Sequence, residues 1–129
     1  MNQSVCILFE NDYRKILLLL RDDKPSIPYP NRWDIPGGVV EQGESPEEAI
    51  IREMKEEIEL DLKDFRVFKV FPWEDRRETV FFKKLNLDIR ATHLHEGQRI
   101  RWFTKNELLS MSLAFNDNAI IREYYGDTN

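Results

Sequence analysis

Short apolar runs separated by polar turns open the chain, a pattern that is typical of paired β-strands. The runs cover residues 5–9 and 15–21, and the polar stretch 10–12 between them suits a hairpin turn. Residues 22–32 then carry three prolines within six positions, which cannot supply the amide donors of a helix or an inner strand. We therefore expect a hairpin followed by a long loop.

The middle of the chain predicts a short strand and then a well-marked helix. Residues 33–40 favour a strand that breaks at the glycine pair 37–38. Ser45 suits the N-cap position and Pro46 the first helical position, and the acidic residues that follow favour the first turn. The helix is predicted to end near Glu59. Its predicted buried stripe consists of Ile51, Met54 and Ile58.

The second half of the chain returns to strand patterns before its last helices. Strands are predicted over residues 65–71, from near Thr79 to Ile89, and over 99–104. Short helices are predicted over 105–110 and 118–125. Their candidate caps are Thr104 for the first and Asn116 or Asp117 for the second. This order of elements predicts an α/β fold, with a mixed β-sheet flanked by helices.

Composition and charge indicate the class of protein but not any reaction that it catalyses. The 129 residues are 41% hydrophobic and 33% charged, which fits a single packed domain over residues 1–129. A net charge of −5 argues against a basic groove for duplex nucleic acid. Cys6 is the only cysteine, the apolar runs are too short to span a membrane, and the amino terminus lacks a basic start typical of a secretory signal. We therefore expect a soluble, cytoplasmic protein with no membrane partner.

Three carboxylates on the predicted central helix are the first sign of chemistry. At helical spacing Glu53, Glu56 and Glu57 share one face, where like charges repel unless a cation lies between them. Hard cations such as Mg²⁺ take oxygen ligands of this kind, together with substrate phosphates. Arg52 is placed to pair with Glu56 one turn on or with Glu44 across the preceding turn, either of which would orient the carboxylates.

The stretch from Gly38 to Leu60 resembles the signature of the Nudix hydrolases, which spaces glycine, glutamate, arginine and a pair of glutamates along a loop and a helix. The matching positions are Gly38, Glu44, Arg52, Glu53, Met54, Glu56, Glu57 and Leu60. From this chain's own residue frequencies, chance gives such a match about once in 10⁴ sequences. Glu59 stands where the signature has its second glycine, a residue that usually ends the helix at positive φ. We therefore expect an altered or strained helix end.

The resemblance implies a fold and a reaction. The fold is an α/β/α sandwich, and the reaction is metal-dependent attack of water on a nucleoside diphosphate linked to another group, with Mg²⁺ or Mn²⁺ as the ion. The implied metal ligands are the carboxylates of Glu53, Glu56 and Glu57 and the backbone of Gly37 or Gly38. Glu44 and Arg52 are implied to orient them.

A second, shorter match lies near the carboxyl end. Residues 96–98, followed by Trp102, resemble a loop of the MutT-like branch whose glutamate also reaches the metals, whereas the plainer alternative is a turn at Gly97. The candidates for the group that accepts the proton of the attacking water are Glu53, Glu56 and Glu96. The neighbouring His93 and His95 are predicted to be ordinary surface residues.

A few residues are candidates for contact with the substrate. By resemblance Arg21 contacts phosphate, with an exposed strand-end charge as the alternative, and Asp117 or Asn118 contacts a base, with a helix cap as the alternative. Arg76 and Arg77 are predicted to lie in a solvated turn.

The leading hypothesis is a Mg²⁺-dependent hydrolase of nucleoside triphosphates that releases a monophosphate and pyrophosphate, with oxidised purine nucleotides as candidate substrates. An ADP-ribose or nucleotide-sugar pyrophosphatase and a non-catalytic nucleotide-binding regulator are the alternatives. The expected partner is a small nucleotide, bound by a monomer or a homodimer.

Overall fold

A computed structural model describes residues 2–126, and over these residues the chain folds into one seven-stranded sheet and three α-helices. In chain order the elements are β1 (Gln3–Glu10), β2 (Ile16–Leu20), β3 (Trp33–Asp34), β4 (Gly37–Val39), α1 (Pro46–Ile58), β5 (Arg66–Pro72), β6 (Arg77–Lys84), β7 (Arg99–Phe103), α2 (Lys105–Ser110) and α3 (Asp117–Tyr124). No helix among residues 2–126 is both long and apolar enough to cross a bilayer.

The sheet is mixed, and β1 is its central strand. The order β3-β2-β1-β6-β5 places β1 antiparallel to β2 and parallel to β6, while β4 pairs with the first half of β1 and β7 pairs with β2. The predicted mixed sheet is confirmed. Because a short loop joins β4 to α1, the pairing of β4 with Ser4–Cys6 of β1 positions the start of that helix.

Side chains along β1 point alternately to the two faces of the sheet, so the core consists of two layers. Val5, Ile7 and Phe9 pack with α1, whereas Cys6 and Leu8 pack on the opposite side of the sheet with residues of α2 and α3. Helices therefore cover both faces, which confirms the α/β/α sandwich.

The buried face of α1 differs from the predicted stripe by one position. Met54 and Ile58 are buried as expected, but Ile51 is 40% exposed and Ile50 is fully buried in its place. Ile50 and Met54 are four residues apart and so lie one above the other on the helix face that meets the sheet. Ile51 lies about 100° further round the helix.

The ends of α1 are set by one predicted cap and one strained residue. Ser45 forms a capping box, since its hydroxyl accepts from the Glu48 N–H and the Glu48 carboxylate accepts from the Ser45 N–H. At the other end Glu59 adopts the left-handed conformation with φ +54°, which costs a non-glycine residue about 1 kcal/mol. The expectation of a strained helix end is confirmed.

Two predicted strand boundaries are wrong. The strand over 33–40 breaks at Ile35–Pro36 rather than at the glycine pair, because Gly37 and Gly38 pair with β1. The strand predicted to reach Ile89 ends at Lys84, opposite Glu10, where its partner β1 also ends. Three apolar residues beyond that point pack on the α1 side of the core from an irregular segment and a 3-10 turn. They are Leu85, Leu87 and Ile89.

The last two helices begin close to their predicted starts. Thr104 caps α2 with a second capping box, as predicted. The N-cap residue of α3 is Asn116, whose side chain makes no capping hydrogen bond, and the helix starts at Asp117 rather than at residue 118. The side chain of Asp117 is therefore available for another contact.

Candidate active site

The candidate site is formed where β4 contacts α1 closely. A Cβ atom at Gly38 would lie 2.4 Å from Cδ of Glu53, so only glycine leaves room for that carboxylate. The glycine before the helix therefore has a steric role: it lets the Glu53 carboxylate lie directly against β4.

Three carboxylates from two segments meet beside this contact. Oxygen atoms of Glu53, Glu57 and Glu96 all lie within 4.8 Å of one another. Glu57 is only 3% exposed, and its Oε2 has no hydrogen-bond partner among residues 2–126. Burial, reinforced by Glu53, raises the pKa of Glu57 to about 10, and burial together with the charges of Glu53 and Glu56 also raises the pKa of Glu96.

This cluster has the chemistry of a divalent-cation site. A buried carboxylate with an unpartnered oxygen is costly unless a positive charge compensates it. An arrangement of carboxylate oxygens is the donor set that Mg²⁺ and Mn²⁺ prefer. Glu53, Glu57 and Glu96 therefore fit a hard cation.

Arg52 organises the carboxylates around the cluster. It donates from Nε to Glu44 (2.7 Å), from Nη1 to both Glu53 (2.9 Å) and Glu56 (2.7 Å), and from Nη2 to the Val39 carbonyl (3.0 Å). Both pairings considered from the sequence are thus present together. The hydrogen bond from Arg52 lowers the pKa of Glu44.

The third helical carboxylate shares an arginine nitrogen with Glu53. The structure brings Glu53, Glu57 and Glu96 together within 4.8 Å, and the Glu56 side chain, which is 50% exposed, accepts from the same Nη1 of Arg52 as Glu53. Sequence spacing alone had placed all three helical carboxylates in one sector.

The loop that carries Glu96 also makes the turn predicted as its alternative. Gly97 has φ +83°, and a Cβ there would lie 2.6 Å from the Leu19 side chain and 2.8 Å from the Leu20 carbonyl. The Gln98 N–H donates to the same Leu20 carbonyl at 2.8 Å. The turn at Gly97 thus fastens the loop to β2 and leaves Glu96 at the cluster, so the two alternatives are compatible.

Two adjoining cavities open at this place. The smaller, about 210 Å³, is lined by Glu57 and Glu96, and the larger, about 390 Å³, extends away from the cluster. Arg21, Asp34 and Gly37 line both. The carboxylate cluster and the larger cavity are therefore parts of one continuous surface.

Acidic groups line the larger cavity as well. Asp117 is 2% exposed and accepts the Ile35 N–H at 2.9 Å. Burial, followed by the nearby charge of Asp34, raises the pKa of Asp117 well above its usual value. Asn118 is placed differently: its oxygen accepts the Leu113 N–H and its amide donates to the Met111 carbonyl, so the side chain braces the segment before α3.

Two arginines offset the acidic groups of this cavity. Arg21 donates to the Pro28 carbonyl and to Asp34 at 3.3 Å. The prediction of a solvated turn at Arg76 is wrong, because its side chain is 16% exposed and donates to Ser4, Glu78 and Asn116. Arg77 is exposed, but it lies in β6.

Among the residues that line this cavity, the sequence analysis did not single out Asp34, Glu78 or Phe115. Glu78 is buried, and Trp73 donates to it at 2.8 Å. In the sequence, Glu78 is marked only as a single carboxylate at the start of a pattern typical of a buried β-strand. Phe115 has φ +49° and lies under the guanidinium of Arg21, 5.0 Å from Cζ to the ring centroid. No local pattern marks it.

The family model of the NUDIX domain matches residues 2–124 of this chain. The chain belongs to the Nudix hydrolase family. This Nudix hydrolase is 35% identical to the ADP-ribose pyrophosphatase of Methanocaldococcus jannaschii over 91% of its own length and 69% of that protein. It is 39% identical to the 8-oxo-dGTP diphosphatase of Escherichia coli over 40% of its length and 42% of that protein.

A solved structure supports the fold. A MutT structure, from work on Aliivibrio salmonicida and Vibrio cholerae, superposes with a TM-score of 0.79 at 23% identity and covers 97% of each chain. The mixed sheet and the helices on its two faces are thus shared with that protein.

Proposed function

We propose that this Nudix hydrolase is a Mg²⁺-dependent pyrophosphohydrolase of nucleoside triphosphates, with Mn²⁺ as an alternative ion. The observation that carries the proposal is the junction of the two cavities at Arg21, Asp34 and Gly37. In this proposal the base and sugar occupy the larger cavity, and the phosphates extend to the cluster of carboxylates. Hydrolysis between the α- and β-phosphorus would release a nucleoside monophosphate and pyrophosphate.

The metal would be held where the carboxylates converge. Glu53, Glu57 and Glu96 are the proposed ligands by geometry, and Glu56 and the backbone of Gly37 or Gly38 are proposed from their place in the signature. When bound, such an ion neutralises phosphate charge and lowers the pKa of a coordinated water. Arg52, bonded to Glu53, keeps that carboxylate turned toward the site.

The attacking water must lose a proton to a nearby carboxylate. Glu53, Glu56 and Glu96 are the proposed acceptors. Glu53 and Glu96 lie in the cluster itself, and Glu56 is joined to Glu53 through Nη1 of Arg52. Comparison of the rates of the three Glu→Gln variants at saturating Mg²⁺ distinguishes these roles, since the acceptor lowers kcat without raising the metal requirement.

Recognition of the base is proposed for the end of the larger cavity at α3. Asp117 lines this cavity, and burial together with Asp34 raises its pKa well above the usual value, so its carboxyl is the proposed holder of a proton that is donated to a base edge. Arg21 is the proposed phosphate contact at the junction of the cavities. Asn118, also proposed from the sequence, would act by holding the segment that precedes Asp117.

The similarity to an ADP-ribose pyrophosphatase favours a second substrate class. The similarity to an 8-oxo-dGTP diphosphatase supports the first, with oxidised purine nucleotides as candidates. A panel of nucleoside triphosphates, 8-oxo-dGTP, ADP-ribose and sugar nucleotides, incubated with Mg²⁺, decides between them by product. Pyrophosphate supports the proposal, two monophosphates from a diphosphate-linked compound replace it with the second class, and binding without turnover indicates a regulator.

We further propose that residues 1–129 act as one domain in the cytoplasm, as a monomer or a homodimer, on small nucleotides. The match of the family model to residues 2–124 supports the single domain. Light scattering of the purified chain tests the oligomeric state.

A further inference from the structure

Glu59 is unusual in both its position and its conformation. It stands where the Nudix signature has a glycine, yet it keeps the left-handed conformation, with φ +54° and ψ 32°, that glycine adopts without strain. A glycine would satisfy the same backbone hydrogen bond from residue 59 to the Lys55 carbonyl. The backbone therefore gives no reason for a glutamate at position 59. The reason lies in the contacts of its side chain.

Those contacts lead to the loop that carries Glu96. The Glu59 carboxylate lies 2.9 Å from Nε2 of His95 and 3.6 Å from Nδ1 of His93. In addition, the N–H of His95 donates to the Glu57 carbonyl at 2.8 Å. The last turn of α1 thus holds His95 by its backbone and by its side chain, one residue before Glu96.

The opposite side of the same loop is fastened to a different element. The Gln98 N–H donates to the Leu20 carbonyl at 2.8 Å, and its side-chain amide donates to the Arg21 carbonyl at 2.8 Å. Glu96 therefore lies between an anchor on the sheet, at Gln98, and an anchor on α1, at His95. The contact with α1 sets the distance from Glu96 to the two carboxylates of that helix.

We propose that Glu59 and His95 are a positioning pair that holds Glu96 against Glu53 and Glu57. The inference rests on the proposed function in one respect, that these three carboxylates bind a divalent cation. It assigns a role to a histidine that sequence reasoning placed among ordinary surface residues, and it accounts for the departure from the signature at position 59. The pair is half-exposed, so its expected effect is modest.

The test separates positioning from stability. Glu59→Gly removes the contact and relieves the backbone strain, so the melting temperature should equal or exceed that of the parent. Amide exchange of residues 92–98 in the metal-free protein should nevertheless become about fivefold faster, and Mn²⁺, followed by electron paramagnetic resonance without nucleotide, should bind about fivefold more weakly. His95→Ala should give the same two losses.

Two control variants sharpen the result. Asp64→Gly removes an exposed carboxylate at φ +52°, whose described contact is from Lys83 Nζ to its backbone oxygen and so is retained by glycine. It should leave both loop exchange and Mn²⁺ binding unchanged. Glu59→Gln keeps an oxygen that accepts from His95 and should preserve most of the parent behaviour.

Unchanged exchange and Mn²⁺ binding in Glu59→Gly and His95→Ala would overturn the proposal. Faster exchange with unchanged Mn²⁺ binding would also overturn it, because the loop would then be held without positioning Glu96. None of these measurements uses a nucleotide. If the substrate panel shows no turnover while loop exchange and Mn²⁺ binding respond, the proposed function fails and the positioning pair stands.

Discussion

The carboxylate cluster and the larger cavity beside it are both rich in buried acid, but their charges are compensated in different ways. In the cavity, Arg21 and Arg76 lie against Asp34 and Glu78, and the raised pKa of Asp117 keeps a proton there. In the cluster, burial raises the pKa of Glu57 as well, but its Oε2 has no hydrogen-bond partner among residues 2–126. The first arrangement is balanced by two arginines of the protein, whereas the second is suited to a ligand of positive charge.

Glu57→Gln gives the largest expected effect on the cluster. Losing the buried anionic ligand should lower Mg²⁺-dependent hydrolysis at least about 100-fold, which corresponds to about 3 kcal/mol. Burial raises the pKa of Glu57 to about 10, so the metal-free parent must take up a proton to fold at neutral pH; the amide avoids that cost, and the variant should melt at the same or a higher temperature. Glu47→Gln, an exposed residue of the first helical turn, is the matched control. Full activity of Glu57→Gln would remove the cluster from the reaction.

Gly38→Ala tests the packing of the cluster against β4. The new methyl group would displace the Glu53 carboxylate, since the Cβ position lies 2.4 Å from its Cδ. We expect hydrolysis to fall about 10- to 100-fold, with a higher Mg²⁺ requirement, because a misplaced ligand weakens the whole site. Gly43→Ala lies outside the cluster and meets open space, although its φ of +82° makes it strained. If the two variants lose activity equally, the loss reflects general stability.

Arg76→Lys tests whether the cavity contributes to binding. Its guanidinium bonds to three partners around the cavity, which an ammonium cannot replace in the same geometry. We expect KM for the best nucleotide to rise about fivefold with little change in kcat. Arg77→Lys, on the exposed neighbour, should match the parent. A fall in kcat with constant KM would assign Arg76 to the reaction instead.

Asp117→Asn gives the smallest expected effect and depends on pH. The pKa of the Asp117 carboxyl is higher in the folded state than its unfolded value of about 3.8. Such a group stabilises the folded state at low pH, and this contribution is lost as the pH rises from the unfolded pKa to the folded pKa. The amide does not titrate, so the variant should melt about 3 °C higher than the parent at pH 8 and show a smaller or reversed difference at pH 4. Melting curves at both pH values check this, and parallel curves would contradict it.

The sequence by itself determined most of the cluster because its parts are close together along the chain. Helical spacing placed Glu53 and Glu57 on one face, and the short match at 96–98 supplied Glu96. The cap at Ser45 and the strained end at Glu59 were equally local, since each depends on hydrogen bonds within one turn of helix. Local geometry of this kind leaves a readable pattern.

The tertiary structure alone decided how Arg52 links the carboxylates and what lines the cavity. Arg52 binds Glu53 and Glu56 through the same nitrogen while it also bonds to Glu44 and to the Val39 carbonyl, an arrangement that depends on where Glu44 and Val39 lie in space. The cavity brings together residues of β1, the end of β2, β6 and the start of α3, which meet only when the sheet is assembled. Contacts between such distant segments leave no periodic signal, so Phe115 and the partnership of Glu59 with His95 were not predicted.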